Sequence, residues 1–385
     1  MGGTSLNHAY FYIRFLPPMA TTFHPLAVLE VRRETPSCVS VLLDIPSNLR
    51  AEFAFTQGQY LTFEQEIEGE KVRRCYSICT GVDDAEMRVA IKEVPGGRFS
   101  TWANRSLKAG MELNCMGPQG RFFTALDSDN AKHYVAFAAG SGITPVLSHI
   151  KTVMAQEPQS RFTLLYTNKD QQNVIFKNEL ADLKDEHLQR FRLFHFFTQE
   201  PVDTLLYAGR MDEQKCDAVI AQLLDASDID EVFACGPEPM IHAVRTSMER
   251  AGVATEKIHF ELFTASDKKA DPTASETGAS DASGASNDVA SGENEVWVVI
   301  DGSTHPIDLS GGKTILDAGL DAGLDLPYSC CGGVCCTCRA LVTEGEVKME
   351  VNYALEEGEV KKGYALACQS RPVGSGKVVI DFDQQ

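Results

Sequence analysis

Residues 328–340 read YSCCGGVCCTCRA, and they put five cysteines into thirteen positions. Thiols at that density are metal ligands before they are packing. Cys330, Cys335 and Cys338 are spaced C-x4-C-x2-C, and Cys368 follows far downstream in ALACQSR. This is the ligand spacing of a two-iron, two-sulfide centre. Thiolates must converge on both irons from one tight loop, and Gly332 and Gly333 let the backbone curl close, with its amides turned toward the sulfides. A zinc ribbon is the nearest rival, but zinc sites usually present two C-x2-4-C hooks and here the fourth cysteine stands alone. The other register fails too, because Cys336 and Cys338 have a single residue between them. The expected ligands are therefore Cys330, Cys335, Cys338 and Cys368, with Cys331 and Cys336 as bystanders; zinc and redox thiols remain the alternatives.

Five further stretches have chemistry-bearing residues. In KVRRCYSICT, Arg74, Tyr76 and Ser77 form R-x-Y-S on a strand. Alone this is weak, since an Arg and a Tyr on a barrel strand are more often a surface charge and a half-buried ring. VPGGRFSTW places Gly96 and Gly97 before Ser100 at an expected helix N-terminus, where free amides and the helix dipole favour an anion. AAGSGITPVL joins an apolar strand to a helix through Gly140, Gly142, Thr144 and Pro145. Glycines there permit close approach of a pyrophosphate, and proline suits a first helical turn, although a lone G-x-G often serves sterics only. FACGPEPM ends a later strand with Cys235 and Gly236, which read in isolation as a buried thiol and a turn, and HFELFTA supplies Glu261 and Phe263.

The elements that must position these residues fall into three blocks. A chain of 385 residues exceeds one ordinary core and suggests two to three domains, at roughly 100 to 200 residues each. From Ala27 to Phe123, short β-like runs separated by turn residues predict an antiparallel barrel. From Lys132, strand and helix patterns alternate and predict a parallel sheet covered by helices. Residues 266–294 are almost wholly small, polar or acidic and read as a flexible linker. VWVVIDG then restarts a β pattern. The expected division is an N-terminal extension at 1–24, a barrel at 25–125, an α/β domain at 126–265, the linker, and a third domain at 295–385.

The net charge of −19 argues against nucleic acid and against an anionic membrane surface. No run approaches the ~18 apolar residues of a membrane span, and the N-terminus lacks a basic region followed by an apolar one. A cytoplasmic protein is expected, whose twelve cysteines ligate metal or lie buried rather than pair as disulfides.

In this order on these elements, the motifs resemble the ferredoxin-NADP⁺ reductase superfamily, and the segment from VWVVIDG onward resembles plant-type ferredoxins; together they cover about residues 25–385. The resemblance implies an FAD-binding barrel, an NAD(P)-binding domain and an α+β domain of β-grasp type holding a [2Fe-2S] cluster. It implies that Arg74 binds the flavin pyrophosphate, that Tyr76 packs on the isoalloxazine ring, and that Ser77 bonds near its N5. Gly96, Gly97 and Ser100 would hold FAD phosphate. Gly140, Gly142, Thr144, Pro145 and Gly236 would hold the nicotinamide dinucleotide, with Cys235 aligning hydride transfer and Glu261 and Phe263 near the flavin edge. Electrons would pass from NAD(P)H as a hydride to FAD, then singly to the cluster. After the second α/β strand no carboxylate stands directly at the strand end, and Lys169 is placed to pair with a 2′-phosphate, so NADPH is expected over NADH.

Barrel, α/β domain and ferredoxin is the order of reductases in multicomponent oxygenases. The second cysteine of VCCTCRA and the MEVNYAL segment are most similar to the reductase components of ring-1,2-phenylacetyl-CoA epoxidases, di-iron monooxygenases, although Cys331 stands where a basic residue is more usual. The expected partner is thus an oxygenase component, met through the acidic ferredoxin domain. A Rieske or steroid hydroxylase partner is the runner-up. A non-enzymatic iron-sulfur electron-transfer module is the reading from another class, against which the intact R-x-Y-S and G-x-G-x-T-P stand.

Overall fold

The computed structural model describes residues 22–263, 295–300 and 302–384. The expected linker and all but the end of the expected N-terminal extension lie outside them. That end is structured: Phe23–Ala27 pairs with Glu112–Met116, so the barrel starts within the expected extension.

The first domain runs β1 (Phe23–Thr35), β2 (Cys38–Leu43), β3 (Tyr60–Ile67), β4 (Glu70–Ser77), β5 (Met87–Lys92), α1 (Arg98–Arg105) and β6 (Glu112–Gln119). The strands pair antiparallel in the order β4-β3-β6-β1-β2-β5. A bridge from Ile78 to Val89 joins the end of β4 to β5 and closes the sheet into a barrel. Period-two alternation turns Val39, Val41 and Leu43 inward onto Leu26, Leu61, Phe63 and Val89. Helix α1 caps one mouth with Phe99, which has no exposed surface; its burial contributes about 2 to 3 kcal/mol.

The second domain runs β7 (His133–Ala139), α2 (Ile143–Gln156), β8 (Arg161–Asn168), α3 (Lys177–Glu186), β9 (Phe191–Phe197), α4 (Glu213–Leu223), β10 (Glu231–Gly236), α5 (Glu238–Arg250) and β11 (Ile258–Leu262). Its parallel sheet has the order β11-β10-β7-β8-β9. Tyr134, Val135, Ala136, Phe137 and Ala138 are all fully buried, as a strand covered on both faces must be. Side chains of α2 and α3 fill one face, and those of α4 and α5 the other. The chain winds outward from β7 to β9 and then crosses to β10 on the other side. The order therefore reverses between β7 and β10, where such sheets open a crevice at their carboxyl ends.

The third domain runs β12 (Glu295–Ile300), β13 (Ser303–Ile307), α6 (Ile315–Asp321), β14 (Arg339–Glu344), β15 (Val347–Met349), α7 (Glu357–Lys361), β16 (Tyr364–Leu366), β17 (Ser370–Pro372) and β18 (Lys377–Asp381). A mixed sheet of order β13-β12-β18-β14-β16 packs on α6, and β15 and β17 form a separate ribbon. Thr314 caps α6 by accepting from the Asp317 amide at 3.1 Å. The cysteine-rich loop spans from α6 to β14.

Candidate functional site

Strand β4 is the meeting point of the three domains. Its register against β3 sets Ser77 opposite Tyr60 and Arg74 opposite Phe63. Alternation then puts Arg73, Cys75 and Ser77 on one face and Arg74 and Tyr76 on the other. The Tyr76 ring lies 6.1 Å from that of Phe63 and 5.5 Å from that of Phe99, and Arg74 donates to the Arg73 carbonyl at 2.7 Å.

Ser77 reaches the second domain, donating to Glu261 Oε2 at 3.3 Å. Cys235 on β10 is paired in register with Glu261 on β11, so Ser77, Glu261 and Cys235 are brought together. Burial raises the Cys235 thiol well above its ordinary range. Phe263, 39% exposed, lies just beyond. Burial also lifts the Glu261 carboxyl from 4.5 to about 8, with the nearby Cys335 adding to the rise and the Ser77 hydroxyl opposing it. The folded protein therefore holds a proton there that the unfolded chain releases near pH 4.5. Stability from this group is complete below about pH 4.5 and is lost as pH climbs toward about 8. Glu261→Gln is expected to flatten that loss, so calorimetric melting temperatures of variant and parent diverge in the variant's favour from pH 5 to pH 8.

The glycine-bearing turns serve their own geometry first. Gly96 has φ +77° and Gly97 caps α1. The Ser100 hydroxyl accepts from the Val94 amide at 3.2 Å and lies 3.4 Å from the Gly97 carbonyl, so it is committed to the turn. Thr144 likewise donates to the Ser141 carbonyl at 3.0 Å, and Pro145 is buried in the first turn of α2. A β-carbon on Gly142 would sit 2.1 Å from the Cys235 carbonyl oxygen, so the two motifs at the switch point touch through this glycine. Gly236 packs on Met240 and Ala139.

Lys92, which sequence reasoning missed, ends β5 with its Nζ 2.9 Å from where a β-carbon of Gly140 would stand. It is half-buried, and among the described residues it has no carboxylate partner; burial lowers its ammonium, helped by Lys169. A lone lysine at a strand end leaves no pattern to read. Lys169 is exposed after β8, and the neighbouring Asp170 is turned onto Asn173, at 3.0 Å from its amide and 2.8 Å from its side chain.

In the third domain the cysteines gather as two pairs. Cys335 is the foremost influence raising the Cys330 thiol, and Cys368 the foremost influence raising that of Cys338. Cys330 Sγ accepts from the Gly332 amide at 3.3 Å, Cys335 Sγ from the Cys330 amide at 3.4 Å, and Cys368 Sγ from Gln369 Nε2 at 3.5 Å. Among the described residues no three Cys, His, Asp or Glu side chains enclose a single ion. Two thiol pairs with amide donors fit a two-iron centre, in which each iron takes two cysteines, better than one tetrahedral zinc. Cys331 and Cys336 adopt φ +51° and +52°. Cys331 is exposed, and Cys336 donates to the Ala354 carbonyl at 3.0 Å. Cys331→Ser is expected to leave the visible absorbance of the centre unchanged.

The loop holding these pairs is seated on the barrel. Tyr60 donates its hydroxyl to the Cys335 carbonyl at 2.7 Å and lies 3.1 Å from Thr337 Oγ1, which donates to Gln119 Oε1 at 3.1 Å. Thr62 bonds Ser329 at 2.8 Å, and Cys75 contacts the same hydroxyl. The Arg73 guanidinium stacks between Phe23, at 4.7 Å, and Tyr328, at 4.4 Å. Glu359 ties Arg121 of the barrel side, at 2.8 Å, to Arg339. Tyr353 donates to Glu238 at 2.7 Å and so touches the second domain as well.

Three family models match the chain in succession: an oxidoreductase FAD-binding domain over residues 28–124, an oxidoreductase NAD-binding domain over 137–246, and a 2Fe-2S iron-sulfur cluster binding domain over 298–373. One component of the 1,2-phenylacetyl-CoA epoxidase of Escherichia coli (strain K12) is 41% identical, over 94% of this chain and 98% of its own. The ferredoxin reductase component of a 3-ketosteroid-9-alpha-monooxygenase from Rhodococcus rhodochrous is 33% identical, over 90% and 94%. Among solved structures, phthalate dioxygenase reductase superposes over 93% of this chain and 98% of its own, with TM-score 0.56 at 23% identity, a likeness of fold. An Amycolatopsis cytochrome P450 reductase matches 63% of this chain and 70% of its own, with TM-score 0.54 and 26% identity.

Proposed function

Since the chain belongs to the family of reductases of multicomponent oxygenases, which move electrons from NAD(P)H through FAD to a 2Fe-2S centre, we propose that it delivers those electrons to the oxygenase component of a 1,2-phenylacetyl-CoA epoxidase. The extent of its identity to a component of such an epoxidase supports this partner over a steroid monooxygenase. The observation that carries the wiring is that β4 touches the second domain through Ser77 and the cysteine loop through Cys75, with Tyr76 between them.

When bound, FAD takes two electrons as a hydride and the iron-sulfur centre passes them on one at a time. The chain supplies position and electrostatics. Arg74 and the Gly96, Gly97 and Ser100 turn hold the flavin phosphates, Tyr76 packs on the ring system, and Ser77 presents its hydroxyl at the ring's edge. Gly140, Gly142, Thr144, Pro145 and Gly236 shape the cradle for the nicotinamide dinucleotide, and Cys235, Glu261 and Phe263 wall the side where nicotinamide and flavin meet. Lys92 and Lys169 make the strand ends cationic, which supports NADPH as the donor. Cys330, Cys335, Cys338 and Cys368 hold the irons. No nucleic acid enters this reading, and among the described residues no helix is long and apolar enough to cross a membrane.

The test is reconstitution. Anaerobic titration with NADPH, and separately NADH, should bleach the flavin and raise a rhombic low-temperature EPR signal, with NADPH preferred. Adding a phenylacetyl-CoA epoxidase oxygenase component, substrate and oxygen should then give nicotinamide-dependent epoxide. Product formed only with a 3-ketosteroid oxygenase component would reassign the partner and leave the electron path standing.

A further inference from the structure

The neighbouring strands β4, β3 and β6 turn one face toward the third domain. Tyr60 on β3 lies opposite Ser77 on β4 and opposite Gln119 on β6. Directly paired residues share a face of a sheet, with β-carbons about 5 Å apart, and Thr62 follows two positions along on that same face. Each meets the cysteine loop with a polar group. Tyr60 donates to the Cys335 carbonyl at 2.7 Å, Gln119 Oε1 accepts from Thr337 Oγ1 at 3.1 Å, and Thr62 and Ser329 bond through their hydroxyls at 2.8 Å. All of these side chains on both sides are buried.

We propose that Tyr60 is a positioning residue for the electron step between flavin and cluster, its hydroxyl pinning the main chain of Cys335 to the strand pair that presents Ser77. The proposal rests on the reading of Ser77 as a flavin neighbour and of Cys335 as an iron ligand. A tyrosine placed for packing would join a core. Among the described residues Tyr60 joins none of the apolar clusters that fill the three domains, and the barrel's cluster and the third domain's share no residue. Directional bonds therefore set this contact. The ring itself has little freedom, since a β-carbon on Gly120 would stand 3.0 Å from two of its atoms. With the ring held, its hydroxyl acts as a fixed stop for the Cys335 carbonyl.

The consequence is a division of labour along one strand pair. Ser77 faces the side where hydride arrives, and Tyr60 beside it fixes where the electron must go next. Losing the hydroxyl leaves the Cys335 carbonyl in a buried seat without that donor, so geometries in which the loop has loosened gain on the anchored one. Hydride transfer to the flavin does not pass through this contact. The cluster's own potential is not set by it either, because the bond is to a backbone carbonyl and not to a ligand sulfur. The step stays balanced: the flavin loses one electron, the cluster gains it, and Tyr60 keeps its proton and its oxidation state.

The experiment pairs two measurements on the full-length holoprotein: hydrogen exchange of the amides of residues 329–338, and anaerobic rapid mixing with NADPH followed by flavin absorbance and freeze-quench EPR of the cluster. Tyr60→Phe should lower exchange protection of the loop about fivefold and slow the cluster phase by about the same factor, with the flavin phase within about twofold of the parent. Protection of β2 and the cluster's midpoint potential should be parental. Gln119→Leu removes the neighbouring acceptor and should move both readouts the same way by less; it takes over the test if Tyr60→Phe fails to fold. Parental loop protection or a parental cluster phase overturns the proposal. So does equal slowing of both phases with protection lost in β2, which would make Tyr60 a packing residue of the barrel. A parent protein whose flavin bleaches without a rhombic signal would instead overturn the iron-sulfur assignment on which the proposal stands.

Discussion

Cys368→Ser is expected to abolish the iron-sulfur centre while leaving the flavin half at work. Cys368 is 6% exposed, its thiol is paired with Cys338, and Gln369 donates to it at 3.5 Å. It is the one proposed ligand outside the loop, on the short turn that follows β16, which also holds the loop through the Ala367 amide on the Cys338 carbonyl at 3.0 Å and Gln369 on the Cys331 carbonyl at 3.0 Å. Taking away a thiolate bonded to iron costs more than removing an outer partner of a ligand, which is worth roughly 10- to 100-fold in metal affinity. The purified variant should lack the cluster's visible absorbance and its rhombic EPR signal. NADPH should still bleach the flavin within about twofold of the parent rate, because the nearest nucleotide-side residues, Ser77, Cys235 and Glu261, belong to other domains. Transfer to a one-electron acceptor fed by the cluster should drop by more than about a hundredfold. An unchanged cluster spectrum would overturn the ligand set.

Gly142→Ala is expected to damage the opposite end of the path. The new β-carbon would meet the Cys235 carbonyl oxygen at 2.1 Å, its carbon at 2.6 Å and the Gly236 amide nitrogen at 3.1 Å. All three are backbone atoms of β10, so nothing can rotate aside; the turn after β7 and the end of β10 must separate. Overpacking of this kind costs about 1 to 3 kcal/mol. The larger effect is geometric, since displacing a reacting partner by about 1 Å can cost on the order of a hundredfold in rate. Stopped-flow bleaching of the flavin by NADPH should slow by about that factor, whereas chemical reduction of flavin and cluster by dithionite should be normal. A parental rate would show that the contact between the two turns does not set the nicotinamide's position.

What was legible in the sequence were features that repeat or cluster. Alternating runs such as CVSVLL announced the barrel, and the change to alternating strands and helices at Lys132 announced the parallel sheet. Cys330, Cys335 and Cys338 could be ranked against Cys331 and Cys336 by counting intervening residues. Contacts between distant segments were not legible. Tyr60, Thr62 and Gln119 look like ordinary strand residues until Ser329, Cys335 and Thr337 are set against them, more than two hundred positions away. Ser100 is instructive in another way: it stands at a helix N-terminus as expected, yet its hydroxyl closes its own turn on Val94 and Gly97. Gly142 was read as room for a pyrophosphate, and the room turns out to be needed by the Cys235 carbonyl first. Residue type showed where space was required, but not what fills it.

The stacking of Arg73 between Phe23 and Tyr328 bears on how the two electron hand-offs can be told apart. A guanidinium sandwiched between rings, beside buried hydroxyl and amide contacts, is held at short range in a medium that ions scarcely enter. A protein partner met across an acidic surface is drawn by long-range charge, which fades within a Debye length of about 8 Å at physiological ionic strength. Raising the salt should therefore leave the transfer from flavin to cluster nearly unaltered while it slows delivery to the partner. Ionic strength would then act as a selective valve, isolating the internal step in the intact protein without any substitution.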